Sequence, residues 1–265
     1  RDGKQTVAGN FELDLDDAEV YGNYIHNLQN AFLIYGRYGS NISIHHNVIA
    51  NIRPGFFPIM LRHDGQLESG GDLSQISICN NIFYQKNSSS ALGIKVRDYV
   101  AIDGLQVKNN LFYHEIPGAG IPFQKLKDSP LSEEWSNNWF YNCRFTRGEN
   151  SQTGDPKVAA TGPYESTFFK PLPASPLINA GVDIGLPYKG NAPDIGAFEY
   201  VPSTGNTTLV QTGCSVINSV PAAAGFFDLQ GRSIATSHRL PAGAFIKTIS
   251  PGRSLSMMTI TQPLR

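Results

Sequence analysis

The chain is poor in charge and has no long apolar run. Only 16 % of its 265 residues are charged, and the formal net charge is −1. A protein without overall basicity is not expected to bind nucleic acid, so any charge-driven binding must come from a local patch. No stretch approaches 18 consecutive apolar residues, and we therefore expect no helical membrane span.

Cysteine is scarce as well, while glycine and proline are not. The three cysteines, Cys79, Cys143 and Cys214, are odd in number and widely spaced. This spacing fits neither a disulfide framework nor a metal site. By contrast, 26 glycines and 17 prolines favour many short strands and turns.

A short pattern occurs five times. Apolar residues lie five and three positions before an asparagine, and an aromatic or aliphatic pair follows it; the fifth copy has a weaker first half. The asparagines are Asn23, Asn47, Asn81, Asn110 and Asn138, spaced by 24, 34, 29 and 28 residues. Alternating apolar residues that recur at such intervals predict a solenoid of parallel β-strands.

Each asparagine is expected to mark a tight bend. Asparagine tolerates left-handed backbone, and its amide can bond to the neighbouring turn. Strand alternation directs the residues at −5, −3 and +2 into the core. We therefore predict that Asn47, Asn81 and Asn110 are structural and form a ladder of hydrogen bonds.

A second set of strands carries cations. We align these strands on an inward position occupied by Gly36, Leu61, Val96 and Leu126. One outward column then contains Arg37, Arg62, Arg97 and Lys127, and the column beside it contains Tyr35, Met60, Lys95 and Lys125. Stacked like charges are destabilising, which indicates a binding stripe for a polyanion. The alternative is that Asp64, Asp98 and Asp128 neutralise the column.

The cations suggest a lyase acting on an acidic glycan. Such an enzyme neutralises a uronate carboxylate and removes the adjacent proton with a base. The predicted catalytic residues are Lys95 as base, Arg97 as carboxylate clamp, and Arg62. The predicted substrate-binding residues are Arg37, Tyr35, Lys125, Lys127 and His63. A two-carboxylate hydrolase is less favoured, because no adjacent pair of aspartates lies on this column.

Metal binding has weaker support. The segment from Asp64 to Ser74 is an insertion in which Glu68 and Asp72 could offer oxygen ligands to Ca²⁺. The segment lacks a compact Asp-x-Asp-x-Asp pattern, so a surface loop is the simpler interpretation. His45 and His46 also suggest a metal, but alternation is expected to direct their side chains to opposite sides of the strand.

The repeat stops near Thr146, and a segment rich in proline and glycine follows. It contains Asp155-Pro156, Ser175-Pro176-Leu177-Ile178 and Asp194-Ile195-Gly196-Ala197-Phe198-Glu199. This run resembles the terminal segment of secreted bacterial right-handed parallel β-helix proteins of the pectate-lyase-like kind, which covers the last turns. The resemblance implies an all-β, right-handed parallel β-helix. It does not choose between lyases, hydrolases and silent adhesins.

A second resemblance lies near the end of the chain. After a linker over residues 203–208, the sequence has a turn at Asp228-Leu229-Gln230-Gly231-Arg232 and a strand at Leu240–Ile246. This pair resembles the C-terminal sorting domain of proteins exported by the type IX secretion system, with Phe245 where a tyrosine is usual. It implies a small β-sandwich, contact with the secretion machinery, and a secreted or cell-surface bacterial protein.

The predicted organisation has three parts. Residues 1–150 are expected to form the β-helix turns, 151–202 a covering segment, and 203–265 the sorting domain. The chain opens on Arg1-Asp2-Gly3-Lys4, so we expect an upstream portion of the same β-helix. The predicted function is lyase-like processing of an acidic polysaccharide. The alternatives are a glycan-binding adhesin without catalysis and a structural surface solenoid.

Overall fold

A computed structural model describes residues 7–12, 15–35, 38–62, 71–97, 100–126, 130–159, 167–202 and 245–248. These residues form strands, turns and irregular segments, with no helix among them. Accordingly, the described ranges contain no helix able to cross a membrane.

The strands are short and follow one another closely. The first nine are β1 (Val7–Glu12), β2 (Leu15–Tyr21), β3 (Tyr24–His26), β4 (Asn30–Tyr35), β5 (Tyr38–His45), β6 (Val48–Ala50), β7 (Ile59–Arg62), β8 (Gly71–Cys79) and β9 (Ile82–Gln85). The others are β10 (Ala91–Val96), β11 (Val100–Lys108), β12 (Leu111–His114), β13 (Ile121–Lys125), β14 (Leu131–Ser136), β15 (Trp139–Tyr141), β16 (Gln152–Thr153) and β17 (Phe245–Thr248).

The strands build three sheets that the chain visits in turn. Sheet 1 has the order β1-β4-β7-β10-β13, sheet 2 the order β14-β11-β8-β5-β2-β17, and sheet 3 the order β16-β15-β12-β9-β6-β3. Neighbouring strands are parallel except at the edge of sheet 2, where β17 pairs antiparallel with β2. The all-β prediction is confirmed, and the parallel sheets are compatible with a parallel β-helix.

The chain divides into two compact units. One consists of Arg1–Tyr200 with Ala244–Arg265, and the other of Val201–Gly243. Every strand named above belongs to the first unit. Only residues 201 and 202 of the second are described. The predicted linker and the turn of the sorting domain therefore lie outside the described residues.

The interior is filled by the positions that the repeat predicts. Around Asn47, the inward residues Ile42, Ile44 and Ile49 are all fully buried. At the same position as Ile49, two residues after Asn81, Asn110 and Asn138, the rings of Phe83, Phe112 and Phe140 stack in a column. Successive centroids are 4.9 and 5.1 Å apart, and the rings are within 7° of parallel. Such a column repeats the contact between neighbouring turns, which keeps the strands in register.

The asparagine ladder is present. We call Asn23, Asn47, Asn81, Asn110 and Asn138 the inner row. Each member from Asn23 to Asn110 donates from its backbone N–H and its amide Nδ2 to the Oδ1 of the next, at 2.9–3.1 Å. The side chains satisfy polar groups that water does not reach, so these residues stabilise the bend.

The left-handed backbone is one residue earlier than predicted. Positive φ angles occur at His46, Asn80, Asn109 and Asn137, each directly before an inner-row asparagine. We call Asn80, Asn109 and Asn137 the outer row. The bend thus uses two residues, of which the first takes the left-handed conformation that asparagine tolerates. The second is thereby free to point its amide along the ladder.

The outer row holds the C-terminal segment, which we define as residues 167–200. Asn80, Asn109 and Asn137 donate from Nδ2 to the backbone oxygens of Asp194, Val182 and Ala180 respectively, at 2.8–3.1 Å. Its apolar side chains, including Phe168, Leu177 and Ile195, pack against outward residues of sheet 3 such as Ile82 and Leu111. The segment therefore runs along the outer side of sheet 3 across several turns.

Two acidic residues, Asp194 and Glu199, connect different parts of the C-terminal segment by hydrogen bonds. Asp194, which is 2 % exposed, accepts from the N–H groups of Asn179 and Tyr200 at 2.7 and 2.6 Å. Glu199 accepts from the N–H groups of Lys189 and Asp194. Burial raises the pKa of both carboxyl groups. Their contacts assign them to the local structure of the segment.

The strand alignment predicted for sheet 1 is correct at its centre and wrong on both sides. Met60 pairs with Lys95 and Leu61 with Val96, as expected. Tyr35, however, pairs with Arg62, two residues away from the predicted position. Lys125 pairs with Val96, one residue away from the predicted position. Burial of Ile34 opposite Leu61 sets the first register, because an isoleucine gains more from the core than Gly36 does.

Candidate functional site

Three of the predicted site residues come together on sheet 1. Lys95 in β10 lies opposite Met60 in β7. Arg62 ends β7, and Arg97 directly follows β10, with its backbone N–H bonded to the oxygen of Leu61 at 2.9 Å. We call Arg62, Lys95 and Arg97 the basic cluster. Its strands are neighbours, which brings three positive charges to the carboxyl ends of two interior strands of the sheet.

The cluster is compact, whereas the prediction was a long column. The outward column that contains Lys95 continues through Leu33, Met60 and Gln124 and has no other cation. Leu33 and Met60 are buried. Lys125 pairs with Val96 and therefore does not lie in the column of Lys95. A compact cluster suits one or two anionic groups better than a charge on every turn.

The side chains of the cluster differ in their surroundings. Lys95 is half-buried, and its Nζ lies 5.5 Å from the centroid of the Phe57 ring. The ring face attracts the protonated ammonium. Arg62 is half-buried and Arg97 is exposed.

Several predicted site residues cannot be placed. Arg37, His63, Glu68 and Lys127 lie outside the described residues, as do the neutralising aspartates at 64, 98 and 128. Tyr35 is placed by its backbone alone, opposite Arg62. Whether these residues bind substrate stays a prediction.

The calcium prediction is not strengthened. Asp72 is exposed and lies near the start of β8 in sheet 2, where it pairs with Tyr38 and Ala101. The end of the predicted insertion, from Gly71 onward, is therefore strand and not loop. Among the residues that the structure describes, no three His, Cys, Asp or Glu side chains are grouped to hold a metal ion.

The two adjacent histidines do not point to opposite sides. Nδ1 of His45 lies 2.8 Å from Nδ1 of His46, and Nε2 of His45 lies 2.8 Å from Oε1 of Glu19. The ring of Tyr21 stacks on His45 at 5.0 Å. The prediction from alternation was wrong because His46 has left-handed backbone, which returns its side chain to the same side as His45. Burial and the neighbouring His45 lower the pKa of His46 to about 4.

A cleft on sheet 3 was not predicted. It has a volume of about 410 Å³ and lies between the outer side of sheet 3 and the C-terminal segment. Three tyrosines from successive strands, Tyr84, Tyr113 and Tyr141, form its floor. We call it the tyrosine cleft. Its signal in the sequence was a tyrosine three residues after each of Asn81, Asn110 and Asn138.

Charged groups lie at the rim of the tyrosine cleft. The hydroxyl of Tyr84 donates to the carboxylate of Glu115. Burial raises the pKa of Tyr113, and the negative charges of Glu115 and Asp155 raise it further. Both carboxylates therefore act on the same ring. Tyr84 and Tyr113, whose pKa values are both raised by burial, therefore remain neutral hydrogen-bond donors at ordinary pH.

The comparisons with known proteins leave these sites unassigned. No protein-family model matches the chain, and no curated protein matches it either.

Proposed function

We propose that the chain is a parallel β-helix protein that binds an acidic glycan at the basic cluster and cleaves it as a uronide lyase. The proposal depends on one observation, the pairing of Met60 with Lys95, which groups Arg62, Lys95 and Arg97 on neighbouring strands. Three clustered cations lower the energy of a bound carboxylate, and desolvation by the buried neighbours strengthens the attraction.

The proposed reaction is a β-elimination. Arg62 and Arg97 neutralise the uronate carboxylate, which makes the proton at C5 more acidic. A base in the cluster, for which we propose Lys95, removes that proton. The bond from C4 to the glycosidic oxygen then breaks, a C4–C5 double bond forms, and the leaving oxygen takes up a proton. The products are a shortened chain and an unsaturated uronide.

The test detects the C4–C5 double bond of the product. Alginate, polygalacturonate and glycosaminoglycans are incubated with the full chain, with and without Ca²⁺, and ultraviolet absorbance of the unsaturated product is recorded. The expected result is a rise with one substrate that disappears in Lys95→Ala. Lys86→Ala, which changes an exposed lysine away from the cluster, should keep full activity. Equal activity of both variants would contradict the assignment of Lys95.

One observation favours a second candidate, a glycan-binding protein without catalysis. The Phe57 ring beside Nζ of Lys95 stabilises the charged ammonium, which suits carboxylate binding more than proton removal. In that case acidic glycans bind without a rise in absorbance, and Lys95→Ala weakens binding. If no acidic glycan binds at all, the cluster is a structural feature and both candidates fail.

We also propose export to the cell surface through residues 203–265. The support is the resemblance of Asp228–Arg232 and the following strand to type IX sorting domains. A reporter fused to residues 203–265 should reach the surface of a bacterium that has this secretion system. The same fusion with Gly231→Pro should stay inside, since proline has no backbone N–H for the turn.

A further inference from the structure

We infer that the tyrosine cleft is a second carbohydrate site, and that its ligand is an uncharged sugar unit. The cleft and the basic cluster lie on different sheets, so the inference does not depend on the proposed lyase activity. It depends on the shape, the aromatic floor and the charges of the cleft.

The floor of the cleft is a continuous aromatic surface. The ring centroids of Tyr84 and Tyr113 are 5.7 Å apart, and those of Tyr113 and Tyr141 are 4.6 Å apart. Tyr84 is buried, whereas Tyr113 and Tyr141 are half-buried and offer part of their surface to a ligand. Tyrosine combines a flat apolar body with a polar tip, which suits the C–H face and the hydroxyl rim of a pyranose ring.

Packing beneath the C-terminal segment uses Tyr84 but leaves Tyr113 and Tyr141 partly exposed. Positions just after the inner row in the same strands, Ile82, Leu111 and Trp139, are buried beneath the C-terminal segment. Two residues further on, the segment fills only part of the space, and the cleft of about 410 Å³ opens beside the tyrosine rings. This volume lies in the range of small-molecule sites.

The C-terminal segment supplies a rigid wall. The ring of Phe169 packs edge-on against Tyr113 at 4.9 Å and lies 4.9 Å from Tyr84. Phe169 is 3 % exposed and has a φ angle of 60°, which is rare for a bulky residue. Its buried contacts hold this conformation in place, so the wall is formed before a ligand arrives.

The charges select against acidic sugars. Glu115, Asp155 and Lys157 line the cleft, giving two carboxylates against one ammonium. A uronate would be repelled by this balance, while the hydroxyls of a neutral sugar can donate to the carboxylates in charge-assisted hydrogen bonds. The basic cluster has the opposite preference. One chain would thus bind two parts of a mixed polysaccharide, or two polysaccharides.

The experiment measures binding of defined oligosaccharides to the full chain by calorimetry. The probes are the neutral hexamers of glucose (α-1,4 and β-1,4), xylose and mannose, together with a galacturonate hexamer and a glucosamine hexamer. We expect at least one neutral hexamer to bind. Tyr141→Ala should weaken that binding by about tenfold, which corresponds to about 1.4 kcal/mol of lost stacking. Glu115→Gln should weaken it by about threefold through the loss of charge-assisted hydrogen bonds.

Three controls make the result decisive. Tyr188→Ala, which changes an exposed tyrosine outside the cleft, should bind as the unmodified chain does. Tyr141→Phe keeps the ring and should retain most of the binding, and a urea unfolding curve of Tyr141→Ala like that of the unmodified chain excludes misfolding as the cause of its loss. Lys95→Ala should leave neutral binding unchanged while it alters acidic binding, which separates this inference from the proposed lyase. The inference is overturned if no neutral hexamer binds at millimolar concentration, if only the charged hexamers bind, or if Tyr141→Ala binds normally.

Discussion

The inner and outer rows of asparagine are adjacent in sequence but stabilise different parts of the molecule. Asn110 is fully buried and bonds to Asn81 and Asn138 in the neighbouring turns. Asn109, one residue earlier, bonds to Val182 in the C-terminal segment. The difference arises from the backbone, because the left-handed φ of 57° at Asn109 sends the two side chains in different directions. Residue type alone does not decide the role of an asparagine here.

The largest effect is expected in the inner row. Asn110→Ala removes an amide that donates to the oxygens of Ile78 and Lys108 and accepts from Asn81, all away from water. Several buried polar groups lose their partners, so the free energy of unfolding should fall by about 3–5 kcal/mol. Urea unfolding measures this loss. Asn191→Ala, at an exposed asparagine, is the matched control and should change stability by less than about 0.5 kcal/mol.

A smaller effect is expected in the outer row. Asn109→Ala loses the two hydrogen bonds to Val182 and places alanine in left-handed backbone, which should cost about 2–3 kcal/mol. Asn109→Gly tolerates this backbone and should cost about 1 kcal/mol less. Hydrogen exchange at the amides of Val182 and Gly196 reports on release of the segment. Equal losses in Asn109→Ala and Asn110→Ala would contradict the distinction between the rows.

The comparison can be sharpened at His46, which occupies the outer-row position one turn before Asn80. Its pKa in the folded protein is about 4, below the ordinary value of 6.5. Between these values the unfolded chain binds more protons than the folded one, so stability is full above pH 6.5 and falls as the pH drops toward 4. The expected loss is about 3 kcal/mol. Unfolding measured across this pH window should be flatter in His46→Asn, and an unchanged slope would contradict the assignment.

The smallest effect is expected where the segment meets the outer row. A Cβ added at Gly181 would lie 2.8 Å from the oxygen of Pro193 and 3.0 Å from Cγ of Asn109. Gly181→Ala should therefore cost about 1–2 kcal/mol through local overpacking. In the background of Asn109→Gly, part of this cost should disappear, because the crowding side-chain atoms of Asn109 are gone. Strictly additive losses in urea unfolding would show that the two sites do not interact.

The sequence predicted the repeat better than it predicted the surfaces. Positions −5, −3 and +2 around Asn81 were correctly assigned to the core, because Ile76, Ile78 and Phe83 alternate with polar or bend residues. The bend itself was misassigned by one residue. Nothing in a pair such as Asn80-Asn81 says which amide takes the left-handed backbone, since both residues tolerate it.

Sheet 1 was harder to predict than sheets 2 and 3. Its strands lie far from the asparagine landmarks, across loops of variable length, so the alignment relied on matching cations. The observed pairing is set by the buried residues instead. Ile34 lies opposite Leu61, and the next residue, Tyr35, therefore lies opposite Arg62. The tyrosine cleft was missed for a related reason. One wall of the cleft is formed by Phe168 and Phe169. These residues lie outside the repeats, so the repeat pattern could not predict the wall.

The outer row also bears on the order in which the chain is made. Each outer-row asparagine bonds to a residue far downstream in the chain. The separation is 114 residues from Asn80 to Asp194, 73 from Asn109 to Val182 and 43 from Asn137 to Ala180. Synthesis proceeds from the N-terminus, so the turns emerge from the ribosome before the residues that will bind them. Until then the outer amides are bonded to water and the apolar side of sheet 3 is uncovered. The earliest repeats therefore spend the longest time without this cover, held by the inner row, the paired strands and the buried core.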